Sequence, residues 1–333
     1  MVQAYPINSH GYESIFTDWD TRSTVRTRPR RMIEEVDHGM VLFSPPLAPC
    51  VSHPLLQERG RAAVDEFLTR RLYLYLDFTT ILEQGYINPT LMRIGRGNIG
   101  VRFSEEMRLD AHRIYCDEAY HALFSADLKH QVEVCTRTPA TVVGWPRFTD
   151  VLREAKWHVP SGMRPLVEIC FAVVSETLIS GVLSGIPADP SVVTAVRESI
   201  ADHAVDERKH HAYFTKLMED FWPQLGAAEQ RTLGPLFADF IIAFLGPDLR
   251  AQGAILRAML FDPAEARQIL ADTHPAADVG AAIRQAARYT IRLLERVGVL
   301  RDGGVYEHFL RLGLTGDDTG QHTDAARILP SAA

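Results

Sequence analysis

The sequence has 333 residues, of which 46% are hydrophobic, and this is enough for one large domain with an extensive core. Its formal net charge of −7 argues against a nucleic-acid-binding surface. The four cysteines are widely spaced, so we expect no disulfides. Because neither a signal peptide nor an uncharged apolar run of about 18 residues is visible, we also expect a cytoplasmic protein without a membrane span.

Residues 1–52 predict an irregular N-terminal arm. The basic run at 26–31 is typical of a solvated segment, although an anionic partner would also explain it. The prolines at 45, 46 and 49 exclude a regular helix and favour an extended segment lying on the body of the protein. We therefore place the start of the folded domain at about residue 53.

Residues 53–314 predict a single all-α domain built on a ferritin-like four-helix-bundle core. The long apolar patterns and their Pro, Gly and cap residues place the four core helices at 54–86, 104–135, 165–184 and 190–222. Asn88-Pro89 should end or interrupt the first helix, Ser104 should cap the second, and Asp189 should cap the fourth. Residues 136–162 are predicted to be a connection.

Additional C-terminal helices should follow the bundle. The breaks at 246–247, 262–263 and 274–275 predict them at 227–245, 249–260, 263–272 and 276–297. The polar, small residues at 315–333 indicate a frayed tail.

Two of the core helices carry the same short motif. Residues 117–121 and 206–210 both read Asp-Glu-x-x-His, with Glu and His three positions apart on one helix face. Each of the other two core helices carries a candidate glutamate among apolar neighbours, Glu83 in the first and Glu176 in the third. A Glu from each of two helices and a Glu-x-x-His from each of two others form the ligand set of dinuclear carboxylate proteins. The sequence therefore predicts a two-metal site at Glu83, Glu118, His121, Glu176, Glu207 and His210.

Three more residues accompany this set. His203 lies one turn before Glu207 on the same helix face, where a third imidazole is unusual for a ferritin-like site. Asp117 and Asp206 each precede a motif glutamate, and they are candidates to hold the far ring nitrogens of His210 and His121, respectively. Ordinary surface aspartates would give the same pattern.

At these residues the chain resembles the diiron N-oxygenases typified by the p-aminobenzoate N-oxygenase of aureothin biosynthesis and the arylamine oxygenase of chloramphenicol biosynthesis. That family has a ferritin-like bundle with seven metal ligands, including a third histidine. The resemblance implies that His203 joins the six predicted ligands. It covers residues 55–220 well and the C-terminal helices only loosely.

The resemblance also implies a reaction. A peroxo-diferric intermediate formed from two Fe(II) ions and dioxygen would oxidise a primary amine to a hydroxylamine, nitroso or nitro product in specialised-metabolite (antibiotic) biosynthesis. An external electron donor, a protein or a reductant, would recycle the iron. The expected partners are thus a free or carrier-bound small-molecule amine and this donor, with no nucleic acid and no membrane, and a homodimer is left open. Arg284, Arg288 and Arg292 could anchor a substrate carboxylate, although a solvated basic stripe is favoured.

Other functions use a similar ligand set. A ferroxidase that handles iron is the main alternative, but the roughly 110 residues after the fourth helix favour an enclosed substrate pocket. A tyrosyl-radical generator usually has a tyrosine four residues after the first motif histidine, where this chain has Ser125. A metal-free helical protein is the remaining alternative.

Overall fold

The computed structural model describes residues 11–33, 39–183 and 185–316, and the regular elements within these ranges are helices. A single parallel bridge between Val41 and Val192 is the extent of β structure there. The all-α prediction is confirmed. Most of the predicted frayed tail, from residue 317 onward, lies outside the described residues.

The N-terminal arm contains more local structure than its sequence indicates. It includes the one-turn helices α1 (Trp19–Arg22) and α2 (Thr24–Thr27), and the segment that was expected to be extended forms two 3-10 turns, Pro45–Leu47 and Pro49–Ser52. Proline at the first position of each 3-10 turn costs no hydrogen bond, because that N–H has no partner within a turn. The short helix α3 (Pro54–Gln57) then leads into the bundle.

Four long helices form the core. They are α4 (Arg61–Leu82), which continues through a π-helical turn (Glu83–Ile87) into α5 (Asn88–Arg96), then α6 (Glu105–Thr136), α8 (Arg164–Leu183) and α9 (Thr194–Phe221). Ser104 caps α6 as predicted, with its hydroxyl accepting from the Met107 N–H at 3.1 Å. Helix α8 is apolar on nearly every face because the other helices enclose it.

The remaining helices pack against this bundle. They are α10 (Ala227–Leu245), α11 (Leu249–Ala258), α12 (Pro263–Thr273), α13 (Ala276–Val297) and α14 (Gly303–Arg311). The stretch Ala227–Ala258 is long and apolar enough to cross a membrane by length and composition alone. Half of its most apolar part is buried inside the protein, and a buried core helix passes the same test, so this is weak evidence for a membrane span.

Asn88-Pro89 interrupts the first helix, as predicted: α4 ends at Leu82, and the Asn88 N–H donates to the Glu83 carbonyl in the π turn that precedes α5. Two local predictions were wrong. Asp189 does not cap the fourth helix, which begins at Thr194; its carboxylate instead accepts from the Ser191 N–H at 2.9 Å in a turn. The predicted connection at 136–162 contains the amphipathic helix α7 (Arg147–His158). Helix α14 was not predicted.

Candidate metal centre

The bundle brings all seven predicted ligand residues together in its interior. Glu83 opens the π turn after α4, Glu118 and His121 lie on α6, Glu176 lies on α8, and His203, Glu207 and His210 lie on α9. Each of the seven is at most 3% exposed. Burying four carboxylates and three imidazoles is costly unless something compensates their charge.

The seven side chains form two overlapping groups. One contains Glu83, His121, His203 and Glu207, and the other contains Glu118, Glu176, Glu207 and His210. Within each group the candidate ligand atoms all lie within 4.8 Å of one another, which is close enough to surround one ion. Glu207 belongs to both groups, so its carboxylate is placed to bridge two metal ions.

The distances define the inner face of the site. The Oε1 atom of Glu207 lies 3.1 Å from His203 Nε2, 3.2 Å from His210 Nδ1 and 3.6 Å from His121 Nδ1. Glu118 turns one oxygen to each motif histidine, with Oε1 3.1 Å from His210 Nδ1 and Oε2 3.3 Å from His121 Nδ1. It is therefore a second candidate bridge.

The terminal glutamates complete one group each. Glu83 Oε1 is 3.2 Å from His203 Nε2, and Glu176 Oε2 is 3.9 Å from His210 Nδ1. The π turn that begins at Glu83 is itself informative, since π turns are rare and occur mainly at functional sites. The turn keeps the helix continuous on both sides of this glutamate.

The protonation of the metal-free site follows from burial and contacts. Burial raises the pKa of Glu83 and Glu176 well above the ordinary range. Burial acts in the same direction on Glu118 and Glu207, but their histidine neighbours outweigh it and lower both pKa values. Although burial disfavours its charge, hydrogen bonds to Asp206 and Glu118 raise the pKa of His121 to about 10. Without metal, protons thus take the place of cations in this cluster.

The hydrogen bonding of the buried carboxylate oxygens indicates whether the site fits a pair of metal ions. Glu83 Oε2, Glu118 Oε1, Glu176 Oε2 and Glu207 Oε2 are buried and accept no hydrogen bond, even though Glu118 Oε1 lies near His210. Four such orphaned oxygens in one cluster would be expensive, because buried acceptors normally have partners. Metal ions would satisfy them, and a set of carboxylates with imidazoles suits iron. The residues therefore fit a dinuclear iron centre.

Each of the two motif aspartates contacts a histidine on the other helix. Asp206 of α9 lies 3.1 Å from Nε2 of His121 on α6, and Asp117 of α6 lies 3.4 Å from Nε2 of His210 on α9. Each motif therefore supplies the carboxylate that faces the other motif's histidine. With a proton on Nε2, the Nδ1 lone pair of each ring faces the carboxylate cluster.

Two residues of the N-terminal arm contact these aspartates, and the sequence analysis missed both. The Trp19 indole donates its N–H to both oxygens of Asp117 at 2.9 Å. The Thr24 hydroxyl donates to Asp206 Oδ2, and the Thr24 N–H lies 3.3 Å from Oδ1. No sequence pattern marks either residue, because the contact exists only when the arm packs across α6 and α9.

The basic run of the arm has its anionic partner within the same chain. Arg31 pairs with Asp202 at 2.8 Å and with Glu198 at 2.8 Å, and Arg30 pairs with Asp127 at 2.6 Å. These acids lie on α9 and α6, the helices that carry the Asp-Glu-x-x-His motifs. The run therefore holds the arm against the bundle.

The three arginines predicted as candidate substrate anchors lie on α13. Arg288 and Arg292 are exposed on α13, and Arg284 is half-buried. In the described part of the chain, none of the three makes a hydrogen bond or an ion pair with the seven-residue cluster, and Arg288 bonds only to Gln285 at 3.2 Å. Their role as substrate anchors stays a prediction, as does the solvated basic stripe that the sequence favours.

Comparison with known proteins identifies the family. The model of the p-aminobenzoate N-oxygenase family, AurF, matches residues 13–298, which is most of the chain. The chain belongs to this family. The predicted resemblance is confirmed, and the AurF match includes all seven clustered residues as well as Trp19 and Thr24. A search of curated proteins found no match. Membership in the AurF family supports an N-oxygenase of the diiron type.

Proposed function

We propose that this protein is a diiron N-oxygenase that uses dioxygen to oxidise a primary amine to a hydroxylamine, nitroso or nitro compound in specialised metabolism. The observation that carries the proposal is the pair of buried ligand groups sharing Glu207, in a chain of the AurF family. A shared carboxylate would hold two irons close enough to act on one dioxygen molecule.

Seven side chains would hold the metals. Glu83, His121 and His203 would bind one iron, Glu118, Glu176 and His210 would bind the other, and Glu207 would bridge them. When bound, the iron pair supplies the reduction of dioxygen and the transfer of oxygen, with electrons from an external donor.

The chain's own contribution is orientation and exclusion of water. Asp206 and Asp117 would keep a proton on Nε2 of His121 and His210, so that Nδ1 of each ring can bind metal. Trp19 and Thr24 fix those two carboxylates from the arm side. Burial of the cluster would keep bulk water away from bound metal ions and would strengthen electrostatic interactions with a substrate nitrogen.

The proposed partners are a small-molecule amine, free or carrier-bound, and a reductant or electron-donor protein. The test is a reaction of the anaerobically loaded, reduced protein with ¹⁸O₂ and a panel of aryl and amino-acid amines, followed by mass spectrometry. The expected result is at least one product with ¹⁸O on nitrogen. Absence of label from every amine, with accumulation of ferric mineral in a many-subunit particle, would support the ferroxidase instead.

A further inference from the structure

The segment 11–33 of the N-terminal arm packs against α6 and α9 as part of the buried protein. Phe16 is only 2% exposed, and its ring lies beside the imidazole of His210, with ring centroids 6.2 Å apart. Tyr12 donates its hydroxyl at 2.6 Å to Asp110, a fully buried carboxylate of α6. This part of the arm therefore belongs to the core and is not a loose tail.

On α9 the arm contacts a stripe of carboxylates. Three acids at four-residue spacing share one face of this helix: Glu198, Asp202 and Asp206. Arg31 pairs with the first two at 2.8 Å each, and Thr24 donates its hydroxyl to the third. The face of α9 that holds the arm is therefore the face that carries Asp206, the partner of His121.

The two motif aspartates depend on the arm for their hydrogen bonds. Both are buried, with 1% of Asp117 and 4% of Asp206 exposed. Apart from its histidine, Asp117 has hydrogen bonds only with Trp19 among the described residues. Asp206 likewise has only Thr24 beside its histidine. Loss of the arm residue would orphan the carboxylate or draw water to it, and either change would loosen its hold on the imidazole.

The two arm residues contact different halves of the metal centre. Trp19 contacts Asp117, which in turn contacts His210. Thr24 contacts the other motif aspartate, which in turn contacts His121. These two histidines belong to separate ligand groups. One short stretch of the arm is thus connected to both candidate metal positions.

We propose that this stretch of the arm completes the metal centre, with Trp19 and Thr24 as positioning residues that each set the affinity of one of the two metal ions. The inference rests on the proposed function only in requiring two bound metal ions, and it adds a role for the arm. Because coupling between two equilibria is reciprocal, metal binding should also tighten the packing of the arm.

Stepwise anaerobic titration with Fe(II) tests the two residues separately. Trp19→Phe keeps a ring and removes the indole N–H, and Thr24→Val keeps the shape and removes the hydroxyl. Each should weaken one iron roughly 3- to 30-fold and leave the other within about twofold, a smaller loss than removal of the aspartate itself. Thr21→Val is the matched control, because the exposed Thr21 donates its hydroxyl to the Asp18 carbonyl and to neither motif aspartate. Its two affinities should equal those of wild type.

Double variants assign each arm residue to its iron. In Asp206→Asn, Thr24→Val should change neither affinity by more than about twofold, because the carboxylate that it positions is already gone. In Asp117→Asn, Thr24→Val should keep its full effect and weaken the iron that Asp117→Asn spares. Trp19→Phe should show the opposite dependence. The same effect of Thr24→Val in both backgrounds, or wild-type affinities in both single variants, would overturn the inference.

Hydrogen exchange tests the reciprocal effect in wild-type protein, so it is decisive even where a variant does not fold. Backbone amides of α1 and α2 should exchange at least about threefold more slowly after anaerobic loading with Fe(II) than in metal-free protein. Amides of α12, which carries no candidate ligand, should exchange at the same rate in both states. The double variant Trp19→Phe/Thr24→Val should lose the protection of α1 and α2. Equal exchange of α1 and α2 in both states of wild type, or protection that persists in the double variant, would overturn the inference.

The outcomes separate this inference from the proposed function. Formation of an ¹⁸O-labelled amine product, together with wild-type iron binding in Trp19→Phe and Thr24→Val, would refute only the role of the arm. Iron binding that depends on Trp19 and Thr24, without transfer of ¹⁸O to any amine, would uphold that role and refute the oxygenase reaction. Failure of wild-type protein to bind two irons would refute both.

Discussion

Replacing Asp206 by asparagine should weaken one iron site and spare the other. Asp206 Oδ2 lies 3.1 Å from Nε2 of His121, and His121 belongs only to the ligand group that contains Glu83. Loss of such an outer carboxylate typically costs 10- to 100-fold in metal affinity, or roughly 1.4–2.8 kcal/mol. The longer contact of 3.4 Å between Asp117 and His210 predicts that Asp117→Asn falls nearer the lower end, at the other iron.

Anaerobic iron titration with metal content determined after gel filtration measures this directly. Wild-type protein should bind two irons of similar affinity, whereas Asp206→Asn should show one tight and one weak site. Asp202→Asn is a matched control, because Asp202 lies one turn earlier on α9 and pairs with Arg28 and Arg31 instead of a histidine. Equal effects of the two substitutions, or equal weakening of both irons in Asp206→Asn, would refute the assignment.

Three further predictions concern the ligands themselves. Glu207→Ala should lose at least one of the two irons, since this carboxylate belongs to both groups; elemental analysis showing two irons per chain would contradict that role. His203→Ala should keep both irons, because six ligands remain, but should alter the optical spectrum of the oxidised centre and slow amine turnover; an unchanged spectrum and rate would make His203 a packing residue. Because the pKa values of Glu83 and Glu176 are raised and that of His121 is about 10, bound protons compete with metal at neutral pH. The affinity for metal should therefore rise with pH, and metal loading should release protons that a pH indicator can measure. Loading should also raise the melting temperature of the protein. An affinity that does not change with pH would contradict the protonation of the metal-free cluster.

The helix bounds that the sequence predicted best are those marked by Pro or Gly residues. The predicted helix at 276–297 matches Ala276–Val297, and that at 227–245 matches Ala227–Leu245, because Pro and Gly residues mark their ends. At Pro89 the same rule allows an end or an interruption, and the structure shows an interruption, the π turn between α4 and α5. The rule is local, and the continuous helix is stabilised by its packing against α6 and α8.

The candidate metal ligands were predictable because metal binding restricts both residue type and helical spacing. Glu-x-x-His appears twice, and Glu83 and Glu176 stand among apolar neighbours. Trp19 and Thr24 carry no such signal. Both meet their aspartates across more than 90 positions of sequence. Contacts of this kind arise from tertiary packing alone.

The proposed function depends on two irons that share the Glu207 carboxylate in the interior of the bundle. Mössbauer spectroscopy of the protein loaded anaerobically with ⁵⁷Fe(II) and then exposed to air tests it most directly. The predicted result is two irons per chain in one spin-coupled diferric pair, diamagnetic at low temperature. One iron per chain, or two magnetically independent ferric ions, would contradict the shared site.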